Sequence, residues 1–123
     1  MVIYNPPIRD YEFLFNEVFN AIPTVQKLGY DFDEDFLSML MEGWADHVKE
    51  VWLPINQLGD REGIKFENGS IKMPQEFKDA YKQGIGEGWL STSCKPEHGG
   101  MGVPTFFQAV TWAEFGTSAN MAM

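Results

Sequence analysis

Few residues of this 123-residue chain have the types and spacing that catalysis or metal binding requires. The acidic run at 31–35 (DFDED) imitates the start of a calcium loop, but Phe36 occupies the position that needs a glycine. We therefore interpret the run as an acidic helix N-terminus, which the helix dipole favours. His47 and His98 lack a second ligand at a metal-binding spacing. We expect His47 at a helix surface or boundary, whereas a substrate contact stays open for His98.

Two glycine-rich stretches offer backbone freedom rather than a phosphate site. The run at 84–88 (GIGEG) follows a predicted helix instead of a strand and lacks dinucleotide-binding spacing, so we interpret it as a helix C-terminus. The three glycines within 99–102 (GGMG) permit positive φ angles and a close approach of another chain segment. Cys94 has no base nearby in the sequence, and we expect a buried structural thiol rather than a nucleophile.

The composition narrows the function classes. A net charge of −9 disfavours nucleic acid and anionic membranes as partners. The aromatic share of 15%, with four tryptophans and ten phenylalanines, requires a large core, a ligand or a partner surface. One cysteine allows no intrachain disulfide, the N-terminus does not follow a secretory pattern, and no apolar run approaches the roughly 20 residues of a membrane span. We therefore expect one cytoplasmic domain.

Apolar residues at helical spacing predict an all-α fold, a compact bundle of four or five helices. The first predicted helix covers residues 9–22, and Pro23 is expected to end it. The second and longest covers residues 34–58. It contains Pro54, which should bend or break it because proline cannot donate a backbone hydrogen bond.

The second half of the chain adds a small excursion and two more helices. Alternating residues around Asn68 and Gly69 predict a hairpin-like excursion near 64–73. Pro74 opens the next helix, and the last helix begins near Pro104.

The last predicted helix is apolar on nearly every side. A helix of this kind is normally buried on every side, so we expect a further layer to cover it. Unmatched apolar faces also predict self-association into a homo-oligomer. The residues in question are Phe106, Phe107, Val110, Trp112, Ala113 and Phe115.

Three segments, in order along the chain, carry a family pattern. The first is 4–10 (YNPPIRD), the second is 51–56 (VWLPIN) with 60–63 (DREG), and the third is 96–102 (PEHGGMG) with 112–116 (WAEFG). Together they resemble the N-terminal helical domain of acyl-CoA dehydrogenases across essentially the whole chain. The first segment is similar to a bacterial subgroup that includes long-chain acyl-CoA dehydrogenases and 3-methylmercaptopropionyl-CoA dehydrogenase.

The resemblance implies a parent enzyme that desaturates acyl-CoA thioesters between Cα and Cβ. It implies FAD as cofactor, acyl-CoA as substrate and electron-transferring flavoprotein as partner. Family members carry a middle β-domain with most FAD contacts and a C-terminal helical domain with the catalytic glutamate. Residues 1–123 match neither, so we expect the isolated chain to be inactive and to bind FAD poorly. The resemblance assigns it no catalytic, cofactor-binding or metal residue, and makes Glu114 a structural helix position.

The same resemblance makes the end of the last helix one wall of the acyl pocket. The candidate substrate-binding residues are Thr117, Asn120, Met121 and Met123. An ordinary interdomain core at these positions is an equal alternative. Two other functions stay open: a stand-alone helical interaction module, and a binder of acyl chains without chemistry. A reading frame that continued past Met123 into a β-rich stretch would favour the enzyme.

Overall fold

A computed structural model describes residues 2–123 and shows five helical rods and one hairpin within that range. The prediction of an all-α bundle of four or five helices is therefore confirmed. The first rod is α1 (Ile8–Phe13) with a π-helical extension (Leu14–Val18), and the second is α2 (Ala21–Lys27). The third is α3 (Glu34–His47), a π-helical stretch (Val48–Trp52) and α4 (Leu53–Glu62). After β1 (Lys65–Glu67) and β2 (Ser70–Lys72) come α5 (Gln75–Gly86) and two 3₁₀ turns (Trp89–Ser91, Pro96–His98). The last rod is α6 (Thr105–Phe107), a π-helical stretch (Gln108–Trp112) and α7 (Ala113–Ala119).

The first helix ends earlier than its apolar pattern predicts. Regular structure stops at Val18, and Asn20 adopts a left-handed conformation with φ of 48°. Pro23 then lies in the first turn of α2. The prediction that the helix runs to Ile22 and that Pro23 ends it is wrong. A proline is tolerated in a first turn because the N–H groups there have no partner within the helix.

The long helix passes Pro54 without a break. The Leu53 N–H donates to the carbonyl of Val48, five residues back, so the turn before the proline is widened. Pro54 then occupies the start of α4. The predicted break is therefore wrong, because the register change places the proline where its missing N–H costs little, and the predicted bend stays a prediction.

The predicted hairpin near 64–73 is confirmed. Its strands pair antiparallel with Phe66 opposite Ile71. Asn68 and Gly69 both have positive φ, 51° and 77°, as a tight two-residue turn requires. Every residue of both strands is exposed, so the hairpin lies outside the core.

The last rod has one buried face and one open face. Its large residues Phe107, Trp112 and Phe115 are buried, whereas small residues such as Ala109 and Ala113 are exposed. No other part of residues 2–123 covers this open side, so the expectation that a further layer covers the helix stays a prediction. Phe106, 45% exposed, is the large apolar residue on its open side.

The glycine turn before the last rod approaches its own chain closely. Gly99 and Gly102 have positive φ, and a Cβ on Gly100 would overlap the Cys94 carbonyl oxygen. The predicted close approach is confirmed. Cys94 itself is exposed, so the expected buried thiol is wrong. It lies in the irregular turn rather than on the inner face of a helix.

Candidate functional site

A groove of about 390 Å³ opens between the third rod, the last rod and the turn after α5. Its size falls in the range of small-molecule sites. All four tryptophans of the chain line it, and we call it the tryptophan groove. Its wall is completed by residues of the turn after α5, of the last rod and of the segment that follows that rod. These are Leu90, Thr105, Gln108, Ala109, Ala113, Gly116, Thr117, Asn120, Met121 and Met123.

Trp44 of α3 is the centre of the aromatic cluster. Its ring lies 5.0 Å from that of Trp52, 5.6 Å from Trp89 and 6.1 Å from Trp112 between centroids. These separations are typical of favourable aromatic pairs. Its indole N–H donates to the carbonyl of Trp112 at 3.3 Å, which joins α3 to the last rod. Three of the rings, Trp44, Trp52 and Trp112, are buried and form a fixed floor.

Two of these rings have the same backbone setting. Trp52 and Trp112 are the last residues of the π-helical stretches in the third and last rods. Such widened turns occur frequently at functional sites. Gly116 makes room for one ring, since a Cβ there would lie 2.8 Å from Cζ3 of Trp52.

The four candidate substrate-binding residues all line the tryptophan groove. Asn120 is 2% exposed, and its Nδ2 donates to the Trp52 carbonyl at 3.0 Å. Thr117 Oγ1 donates to the Ala113 carbonyl at 2.6 Å. Met121 is 83% exposed, and Met123 packs partly against the core. Thus the structure brings the four together, with the amide of Asn120 engaged in holding the fold.

Sequence reasoning missed the tryptophans as groove residues. Their spacing along the chain gives no sign that Trp44, Trp52, Trp89 and Trp112 meet, because they lie on different elements. The available signal was the high aromatic content itself, which already required a core, a ligand or a partner surface.

His47 lies at the end of α3, buried beneath α5, with 5% of its surface exposed. The expected helix boundary is confirmed, because His47 is the last residue of α3, but the alternative of a helix surface is wrong. The end of α5 covers the side chain, and Nε2 would lie 3.6 Å from a Cβ on Gly84. Its Nδ1 lies 2.7 Å from Oε2 of Glu87. A carboxylate can only accept, so Nδ1 carries the hydrogen.

The carboxylate of Glu87 accepts three hydrogen bonds next to the groove. Gln83 Nε2 donates to one oxygen at 2.8 Å, while Trp89 Nε1, at 2.9 Å, and His47 share the other. These hydrogen bonds, led by that from Gln83, lower the pKa of the Glu87 carboxyl group despite the opposing effect of desolvation. Glu87 therefore joins α5, the buried His47 and one groove residue.

His98 and Glu114 do not line the tryptophan groove. His98 is exposed, 3.5 Å from the Glu97 carboxylate, and does not line the groove. Glu114 Oε1 accepts from Tyr4 at 3.2 Å and Ser118 at 3.1 Å, which ties the N-terminal segment to α7. Burial is the main cause that raises the pKa of Tyr4 to about 12.

The described part of the chain has neither a metal-ligand cluster nor a membrane-spanning helix. Among residues 2–123, no three His, Cys, Asp or Glu side chains converge as a metal site would require. Over the same residues, the helices lack the length and apolarity needed to cross a bilayer.

The chain is similar in sequence to part of a dehydrogenase. No family model matches the chain. It is 34% identical over 121 residues to a 3-methylmercaptopropionyl-CoA dehydrogenase of Ruegeria pomeroyi (strain ATCC 700808 / DSM 15171 / DSS-3). The alignment covers 97% of this chain but 20% of the relative, so the chain spans about a fifth of the length of the relative it matches. Over nearly all its residues, the chain is therefore similar to one part of an acyl-CoA dehydrogenase.

Proposed function

We propose that this chain is the N-terminal helical domain of an FAD-dependent acyl-CoA dehydrogenase. In this proposal the tryptophan groove forms one wall of the acyl pocket, and the parent belongs to the bacterial long-chain and 3-methylmercaptopropionyl-CoA subgroup. The observation that carries it is the meeting of Thr117, Asn120, Met121 and Met123 with four tryptophans in one groove. The similarity to a dehydrogenase along 97% of the chain supports the same assignment.

The chemistry of the groove suits an alkyl chain. Its lining is largely aromatic and aliphatic, with few polar groups such as Thr105 and Gln108. Each methylene moved from water into such a lining contributes about 0.8 kcal/mol at full burial. Met121 and Met123 are flexible and polarizable, which fits a wall that accepts alkyl chains of different shape.

The groove does not fit the flavin dinucleotide. Among the described residues that line it there is no lysine or arginine to meet a diphosphate, and the chain carries nine net negative charges. We therefore assign FAD, the hydride acceptor of the parent enzyme, to another part of that enzyme. The role of this chain is to bind and orient the acyl group and to exclude water from it.

The same proposal includes the location, substrate, electron acceptor and assembly of the parent enzyme. The parent enzyme would act in the cytoplasm on acyl-CoA, pass electrons to electron-transferring flavoprotein and assemble as a homo-oligomer. The isolated 123-residue chain would show no flavin reduction when FAD and acyl-CoA are added.

Calorimetric titration of octanoyl-CoA into the 123-residue chain tests the proposal. We expect octanoyl-CoA to bind and coenzyme A without an acyl group to bind much more weakly. Ala113→Phe, which fills the groove from an exposed position, should weaken binding of octanoyl-CoA by about tenfold or more. Ser118→Phe, on the same helix but away from the groove, is the matched control and should leave the affinity unchanged.

Two outcomes would contradict it. Equal affinity for octanoyl-CoA and coenzyme A would show that the acyl group is not recognised. Equal effects of the two phenylalanine substitutions would place binding outside the groove.

A further inference from the structure

We infer that Trp89 sets the width of the tryptophan groove, and that Glu87 and Gly43 fix the position of its indole. The inference deepens the proposed function, because it names the residue that would decide which acyl groups fit. Trp89 is then a specificity-determining residue, and Glu87 is a positioning residue that acts through it.

Trp89 differs from the other three tryptophans in how it is supported. Trp44, Trp52 and Trp112 lie on long rods and are 2%, 8% and 6% exposed. Trp89 is only partly buried and begins a three-residue 3₁₀ turn. Gly88 before it has φ of 84°, a conformation that glycine adopts without strain. The local backbone therefore constrains this ring less than a helix would, and side-chain contacts must fix it.

Glu87 supplies the polar contact. Its Oε2 accepts from the Trp89 indole N–H at 2.9 Å, and the same oxygen is held by His47 at 2.7 Å. Because His47 is buried in the aromatic cluster, with its ring 5.4 Å from Trp44, the carboxylate is anchored to the fixed part of the groove. The indole of Trp89 is thereby oriented relative to the buried rings.

Gly43 supplies the steric contact. A Cβ at this position would lie 2.9 Å from Cη2 and 3.3 Å from Cζ2 of Trp89. The far edge of the indole therefore lies against bare backbone of α3. Any side chain at position 43 would push the ring away from α3. The indole N–H is thus held by a hydrogen bond, and the adjoining Cζ2–Cη2 edge of the six-membered ring lies where position 43 carries no side chain.

The position of the ring can be followed by ¹⁹F NMR of the 123-residue chain labelled with 5-fluorotryptophan, with Trp89→Phe used to assign the signal. Glu87→Ala should shift or broaden the Trp89 signal and leave that of buried Trp52 in place. Glu87→Gln keeps an acceptor oxygen and should restore a signal close to wild type. Glu97→Ala, an exposed glutamate that does not line the groove, is the control. An unchanged Trp89 signal in Glu87→Ala would overturn the inference.

The width of the groove is tested with two acyl-CoA esters of equal carbon number, octanoyl-CoA and the bulkier cyclohexylacetyl-CoA. We expect Glu87→Ala to change the ratio of their affinities by about fivefold or more, because small shape differences in apolar pockets are worth such factors. Gly43→Ala should change the ratio as well. Ratios equal to wild type in both variants would overturn the specificity role of Trp89. If wild type binds neither ester, the proposed function fails, and the ¹⁹F signals alone decide whether Glu87 positions Trp89.

Discussion

Gly100 sits where the turn before the last rod folds back on itself. A Cβ there would overlap the carbonyl oxygen of Cys94, a backbone atom that cannot move aside cheaply. We expect Gly100→Ala to lower the free energy of unfolding by about 3 kcal/mol, as overpacking against rigid neighbours does. Urea unfolding followed by circular dichroism measures the change.

Gly86 is the matched control for this substitution. It ends α5, and a Cβ there would meet no atom within 4 Å. Gly86→Ala should leave stability unchanged or raise it by up to about 1 kcal/mol, since alanine favours a helix. Similar losses in the two variants would show that the turn is not as tight as described.

Glu87 makes stability depend on pH. Its pKa is lower in the folded chain than its ordinary value of 4.5, chiefly through hydrogen bonds from Gln83 and then Trp89 and His47. Its stabilising contribution is therefore complete above about pH 4.5 and is lost as the pH falls through the folded value. Glu87→Gln should flatten this acid limb in a series of urea unfolding curves. An acid limb as steep as that of wild type would contradict the assignment.

Among the four candidate residues, Asn120 has a clear structural role that a stability measurement can test. Its buried Nδ2 donates to the Trp52 carbonyl, so Asn120→Ala should lower the free energy of unfolding by about 1–3 kcal/mol. Thr117→Val, at an exposed position, should cost less than half as much. Thermal unfolding of the two variants checks the order, and a larger loss in Thr117→Val would reverse our assignment.

At the scale of elements, the hairpin is the part least tied to the core. Its strand residues are all exposed, and Gly69 has φ of 77°. We expect Gly69→Val to speed hydrogen exchange of the hairpin amides while the global free energy of unfolding changes by less than about 0.5 kcal/mol. Loss of global stability of 2 kcal/mol or more would show that the hairpin supports the bundle.

Helix periodicity predicted four of the five rods, all except α2 (Ala21–Lys27), and it did not predict the internal register of the rods. The stripe over residues 34–58 indicated one long helix, and the rod does run through it. The π-helical stretch Val48–Trp52 differs from α-helix by a single hydrogen-bond step, which the spacing of apolar residues does not reveal. The apolar pattern likewise predicted a helix that ends at Pro23. In the structure the left-handed Asn20 turns the chain before that proline.

Sequence reasoning reached residues at the edge of the tryptophan groove and none at its centre. Thr117, Asn120, Met121 and Met123 came from a family resemblance, and the structure puts them on one groove. The hydrogen bond between Glu87 and His47 spans forty positions, a distance over which residue spacing carries no information. Pairings of this kind arise only when α3 and α5 pack together.

At the scale of the whole molecule, apolar side chains remain exposed on an acidic surface. Phe19 is 58% exposed, Phe66 75% and Met121 83%, while the net charge is −9. We expect self-association that strengthens with salt, because added ions screen the repulsion between copies and leave apolar contact unaffected. Sedimentation equilibrium at two salt concentrations checks this. A monomer at high protein concentration in both would contradict it.

The most direct measurement is chemical-shift mapping of octanoyl-CoA on the 123-residue chain, with coenzyme A as reference. We expect the acyl group to perturb the indole N–H signals of Trp52 and Trp112 and the methyl signals of Met121 and Met123, at concentrations where coenzyme A alone does not. Perturbations confined to α5 or the hairpin, or equal effects of the two ligands, would contradict an acyl site in the tryptophan groove.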